Sequence, residues 1–190
     1  VASFRISDIA MASMANPLYI DLGYSKAMIA NISGAYGLAM TMIGAVLGGA
    51  LAARYGLMRP LLAGAALAAL TNLLFAWMAS QGGAPSALIL TISADNLSGG
   101  LAGSVFIAWL SSLTNTAYTA TQYALFSSLM TLPGKFLSGF GGIVVDAVGY
   151  PSFFTLSALM GIPAVVLVII IMKRLGERST LDDSLVSEGQ

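Results

Sequence analysis

Asp95 stands in the middle of TISADNLSGGLAG (residues 91–103), inside a stretch from Ser86 to Leu110 that is otherwise free of charge. Three other ionisable residues have comparably apolar surroundings. Lys135 follows Pro133-Gly134 in a long apolar run, and Arg5 and Asp8 lie in the first apolar segment. A carboxyl group that trades between charged and neutral forms can take up and release a proton, and a lysine can attract a carboxylate. In hydrocarbon each such charge costs about 3 kcal/mol on insertion scales, so these groups must face protein or a water-filled cavity. Asn96 adjoins Asp95 but lies about 100° further around a helix, so one of the two could look at a neighbouring helix. Gln122 and Asn31, near the starts of their segments, are weaker candidates that could equally be caps or interfacial groups. Metal and nucleophilic chemistry are not expected. The chain has neither His nor Cys, which removes the commonest general base, the thiolate nucleophile and the best soft metal ligands. No cofactor, no metal and no nucleic-acid partner is implied.

The elements that must position these groups are membrane helices. Hydrophobic residues make up 57% of the 190 residues and charged ones only 8%, with mean hydropathy +0.87. Soluble domains carry about 25% charged residues, so this surface is suited to lipid rather than water. Turn signals divide the chain into six apolar segments, at about 1–15, 27–53, 60–80, 86–110, 119–145 and 151–172, followed by a polar tail (175–190) expected to be disordered. Each complete segment has the roughly 20 residues that cross a bilayer, and the alternating pattern of a membrane barrel is absent. The chain begins with Val inside an apolar segment, so a preceding portion is expected.

Basic residues orient the bundle. With the N-terminus inside, Arg5, Arg54, Arg59, Lys173, Arg174 and Arg178 fall on the cytoplasmic side and only Lys26 outside, which predicts N-in and C-in. On this topology Asp95 lies about ten residues, or roughly 15 Å, from the outer start of its helix, near the bilayer centre. Lys135 lies about as deep from the outer end of the fifth segment, and consecutive helices are usually neighbours, so the two could meet. Two readings of that pair stand, a functional couple or a structural ion bridge. Arg5 and Asp8, three apart, share one helix face and suit a local bridge.

An internal echo suggests how the segments are arranged. GGALAARYG ends the second segment and GGIVVDAVG the fifth, 93 residues later. Two tandem three-helix units have opposite topology because three is odd, so the pattern predicts a 3+3 inverted repeat. Gly44-x-x-x-Gly48 and Gly99-x-x-x-Gly103 are expected to give smooth packing faces.

GGALAARYGLMRP (residues 48–60) resembles the loop motif of the major facilitator superfamily, with Gly49, Arg54, Gly56 and Arg59 matching and Ala53 replacing the family's acid. That departure weakens the gating interaction the acid would make. SADNLSGGLAGSVFIAWLSSLTN, TATQYALFSSL and DAVGYPSFF further resemble the AmpG-type muropeptide permeases, from about Arg5 to Arg174. The resemblance implies the C-terminal six-helix half of such a carrier, lacking an N-terminal six-helix half. It also implies proton-coupled import of anhydro-muropeptides across the bacterial inner membrane, serving peptidoglycan recycling and β-lactamase induction. In that architecture the first helix of each three-helix unit lines the path, which assigns Asp95 to proton coupling or solute hydroxyls. Lys135 would attract a solute carboxylate, and Asp8 with Arg5 would form a cytoplasmic-side polar cluster. A facilitator of another solute and a non-transporting six-helix membrane subunit are the other classes compatible with the sequence.

Overall fold

A computed structural model describes residues 2–112 and 119–188, and every element assigned within them is helical. The first helix, α1 (Ala2–Asp21), is followed by the short α2 (Lys26–Ile29). A π-helical segment (Ala30–Tyr36) then leads without a break into α3 (Gly37–Tyr55). Next come α4 (Met58–Ala79), α5 (Pro85–Ser112), α6 (Thr119–Ser138) and α7 (Gly141–Glu188). The stretches Lys26–Tyr55, Met58–Ala79 and Gly141–Ile170 are long and apolar enough to cross a membrane. Although α5 has 28 residues, it is not among these, because Asp95, Asn96 and its serines dilute its apolar character.

The chain breaks where its local chemistry demands it. Ser25 caps α2 by accepting a hydrogen bond from Met28 N at 3.2 Å. Gly56 ends α3 at φ 75° and ψ 174°, and Pro60 falls in the first turn of α4, where no backbone N–H is needed. Gly149 interrupts α7 at φ 77° and ψ 162°, two residues before Pro151.

Three expectations need correction. The first segment does not stop at about residue 15: α1 contains Pro17 and continues to Asp21. Beyond the proline, Leu18 (0% exposed) and Tyr19 (3%) sit in the core, and their packing outweighs the backbone hydrogen bond that Pro17 cannot make. The fifth segment is not one helix to 145: it turns at Gly139-Phe140, where Phe140 N donates to Leu137 O at 3.0 Å, and restarts at Gly141. Finally, the polar tail continues α7 as helix to Glu188 rather than being disordered.

Packing does not follow chain order. α3 packs chiefly on α5, α4 on α7 and α5, and α1 on α6 and α7. The core has bulky ends and a narrow waist. Met11, Leu18, Tyr19, Phe75, Met78 and Phe154 belong to one end, and Leu61, Val105, Phe106, Leu110 and Val168 to the other. Between them Ala65, Ala68 and Ala102 let the helices approach, and a methyl at Gly64 would lie 2.9 Å from Ala102 Cα. Small residues matter here because lipid tails are as apolar as Leu, so close packing holds membrane helices together.

Candidate functional site

Four polar residues of α5 reach in several directions. Asp95 turns toward α4 and α1: Thr71 Oγ1 lies 3.4 Å from its Oδ1, and Tyr19 is near enough for an electrostatic interaction. Asn96 turns toward α3, where its Oδ1 accepts from Thr41 Oγ1 at 2.9 Å, while its Nδ2 donates to Ile92 O at 3.0 Å. The 100° divergence expected from their adjacency thus takes the two side chains to different helices. Ser93 meets Tyr36 at 2.8 Å, and Ser98 donates to Asp95 O at 2.9 Å.

Thr71 has one hydroxyl proton and two oxygen neighbours. Its donation to Ala68 O, at 2.9 Å, is the shorter contact. With that bond made, Thr71 Oγ1 can accept from a protonated Asp95; when Asp95 is ionised, the same hydroxyl can rotate to donate. A hydroxyl beside a carboxyl group can therefore follow either protonation state.

Lys135 is exposed on α6, and α6 packs chiefly against α1. Adjacency of α5 and α6, on which a meeting of Asp95 with Lys135 was expected, is therefore not the main packing relation. The side chains of Arg5 and Asp8 lie outside those described. Asn31 is exposed in the π-helical segment, and Gln122 is half-buried on α6. In the loop motif Arg54 and Arg59 are exposed on either side of the Gly56 break, and the Arg54 guanidinium lies 5.5 Å from the centre of the Tyr55 ring. Gly49 has no neighbour within 4 Å of where a Cβ would lie.

The small-residue faces also need one revision. A methyl at Gly44 would overlap Leu97 O, and one at Gly48 would lie 2.6 Å from Leu101 O, so this pair does set the approach of α3 to α5. Gly99 and Gly103 face open space; Gly100 carries the opposing contact, and a methyl there would overlap Thr41 O. A Gly-x-x-x-Gly spacing identifies a helix face but not which face meets the neighbour.

Sequence reasoning missed Tyr19 and Thr71, because a lone Tyr and a lone Thr in apolar helices carry no local signal. It also missed a buried pair of polar oxygens. Asn72 Oδ1 and Thr91 Oγ1, in residues 3% and 0% exposed, have no hydrogen-bond partner among the described residues. A groove of about 480 Å³ lies between α4 and α5, walled by Leu67, Leu70, Leu74 and Leu97 with Thr71 and Ser98. Its apolar walls suit hydrocarbon rather than a polar solute.

Comparison with known proteins gives this arrangement a context. Residues 1–185 match the family model described as "Major Facilitator Superfamily". The chain is 32% identical over 164 residues to the Rickettsia conorii protein named "Putative transporter AmpG 4", covering 86% of this chain and 40% of that one. It is 34% identical over 163 residues to "Putative transporter AmpG 3" of Rickettsia typhi, covering 84% and 39%. The chain spans about two fifths of the length of these curated relatives. With its all-helical build and its long apolar spans, this multi-pass membrane chain belongs to the major facilitator superfamily.

Proposed function

We propose that the chain is a six-helix half of a secondary carrier, built as a 3+3 inverted repeat, that imports anhydro-muropeptides together with protons. Two features support the repeat. Gly56 and Gly149, the glycines of the sequence echo, adopt nearly the same backbone conformation, at 75°, 174° and 77°, 162°. The packing also keeps its pattern when the two three-helix units are exchanged. The α3–α5 contact then corresponds to α1–α6, α4–α5 corresponds to α1–α7, and α4–α7 maps onto itself. An inverted repeat is the construction that lets one unit rock against the other around a central site.

The observation that carries the transport reading is the setting of Asp95. In this reading the 28-residue α5 crosses the bilayer, where an acid at mid-helix is expensive, and here it is served by a hydroxyl able to donate or accept. Asp95 is the proton-coupling group in this reading, and Lys135, exposed on α6, receives a carboxylate of the solute. Arg5 and Asp8 form the cytoplasmic-side cluster, and Gly49, Arg54, Gly56 and Arg59 form the gating loop. Gln122 and Asn31 are secondary polar contacts. The names of the relatives support the AmpG-type solute, and the reading extends to peptidoglycan recycling and β-lactamase induction in the bacterial inner membrane, N-in and C-in. No covalent step is assigned, so the protein acts as a carrier and not as an enzyme.

The test is uptake of an anhydro-muropeptide by the full-length protein in proteoliposomes, with and without an inward proton gradient. Gradient-stimulated accumulation is expected. Equal uptake in both conditions would defeat the coupling, and no uptake would defeat the solute.

A further inference from the structure

The Tyr36–Ser93 pair stands apart from the other hydrogen bonds of the helices. Tyr36 closes the π-helical segment and is 41% exposed, and its Oη lies 2.8 Å from Ser93 Oγ on α5. Ser93 Oγ also lies 2.6 Å from Ile89 O, a carbonyl that can only accept. Serine has one hydroxyl proton, and Ile89 takes it, so the bond between the two side chains is a donation from Tyr36 to Ser93. Both protons are then committed inward. What remains facing out is acceptor capacity only: free lone pairs on Tyr36 Oη and one on Ser93 Oγ.

Such a surface has a definite chemical complement. It accepts from an uncharged donor, such as a sugar hydroxyl, an acetamido N–H or a peptide N–H, and it offers nothing to a carboxylate. Facing lipid, the same lone pairs would have no donor. The backbone geometry explains why the ring is there. A π-helical segment is a wide turn often found at functional positions, and the next residue, Gly37, lies so close to α5 that a methyl would be 3.2 Å from Asn96 Nδ2. The close approach brings Tyr36 alongside α5, with its ring partly uncovered beside the two oxygens. An apolar ring face next to acceptors suits a sugar ring, which presents C–H groups on its face and hydroxyls at its edge.

We propose that Tyr36 and Ser93 form a subsite for the glycan part of the solute, accepting hydrogen bonds from its uncharged donors. The inference rests on the carrier reading above. The experiment uses the full-length protein in proteoliposomes, with Tyr36→Phe and Ser93→Ala, and an anhydro-muropeptide as the transported probe. Its peptide-free sugar and its free peptide serve as separate competitors, and thermal unfolding is recorded for each variant. Loss of one such hydrogen bond corresponds to roughly a 3- to 10-fold change in apparent affinity. Both variants are expected to raise KM by that factor with kcat unchanged, and to weaken inhibition by the sugar but not by the peptide. A KM at the wild-type value in either folded variant overturns the subsite while leaving the carrier reading intact. Weakened inhibition by the peptide instead of the sugar overturns the glycan assignment. Wild-type protein that takes up no muropeptide overturns both.

Discussion

The α3–α5 and α4–α7 pairs solve the same packing problem by different means. α4 and α7 both contain stretches apolar enough to cross a membrane, and their contact is made of side chains. Phe75 stacks on Phe154 with ring centres 5.2 Å apart, and Gly161 lets Ala69 approach. Between α3 and α5 the backbones themselves touch through Gly44, Gly48 and Gly100, and Thr41–Asn96 adds a hydrogen bond, as does Tyr36–Ser93 from the π-helical segment leading into α3. Side-chain packing can yield by rotamer changes, whereas backbone contact cannot. In the reading proposed above, Asp95 thus sits on α5, a helix held to α3 by backbone contact that has little freedom to shift, while the apolar α4–α7 pair serves as scaffold.

The sharpest way to break this contrast is to enlarge Gly100. Gly100→Val forces α3 and α5 apart and is expected to cost more than about 3 kcal/mol of stability, measured as unfolding in detergent. Gly99→Val, one residue away and facing open space, should stay near wild type. Equal losses would mean that the backbone contact does not set the packing. In the scaffold pair, Phe154→Ala removes a fully buried ring and should cost about 3 kcal/mol, while uptake per folded molecule stays close to normal. A collapse of transport at full folding would erase the distinction between scaffold and working pair. Smaller still is the Thr41–Asn96 hydrogen bond. A double-mutant cycle with Thr41→Val and Asn96→Leu should return a coupling of about 0.6 kcal/mol, the average for such bonds in membranes. The smallest change is Gly49→Ala, within about 0.5 kcal/mol of wild type, because nothing lies within 4 Å of the added methyl.

Some of this was legible in the sequence for physical reasons that act locally. Hydropathy fixes the helical membrane class, and Gly56 and Gly149 mark breaks because a positive φ needs glycine. The separation of Asp95 from Asn96 follows from helical geometry alone. Other features depend on neighbours that a single sequence does not reveal. Leu18 and Tyr19 keep α1 helical past Pro17 only because other helices bury them. Thr71 and Tyr19 gain meaning only from Asp95, which lies 24 and 76 positions away in the chain. Gly100 rather than Gly99 meets α3, a rotation of about 100° that no spacing rule resolves. α5 and α6 do touch, but α6 packs chiefly on α1, a preference that chain order alone does not reveal.

The most direct test of the central claim separates coupling from translocation in one residue. In proteoliposomes containing the full-length protein, Asp95→Asn keeps the shape and hydrogen-bonding capacity beside Thr71 but carries no exchangeable acid. The expected result is loss of proton-driven accumulation of anhydro-muropeptide by at least about tenfold, comparable to removing other single proton-transfer groups, with solute exchange in the absence of a gradient retained. Wild-type accumulation by a folded Asp95→Asn protein would contradict the claim.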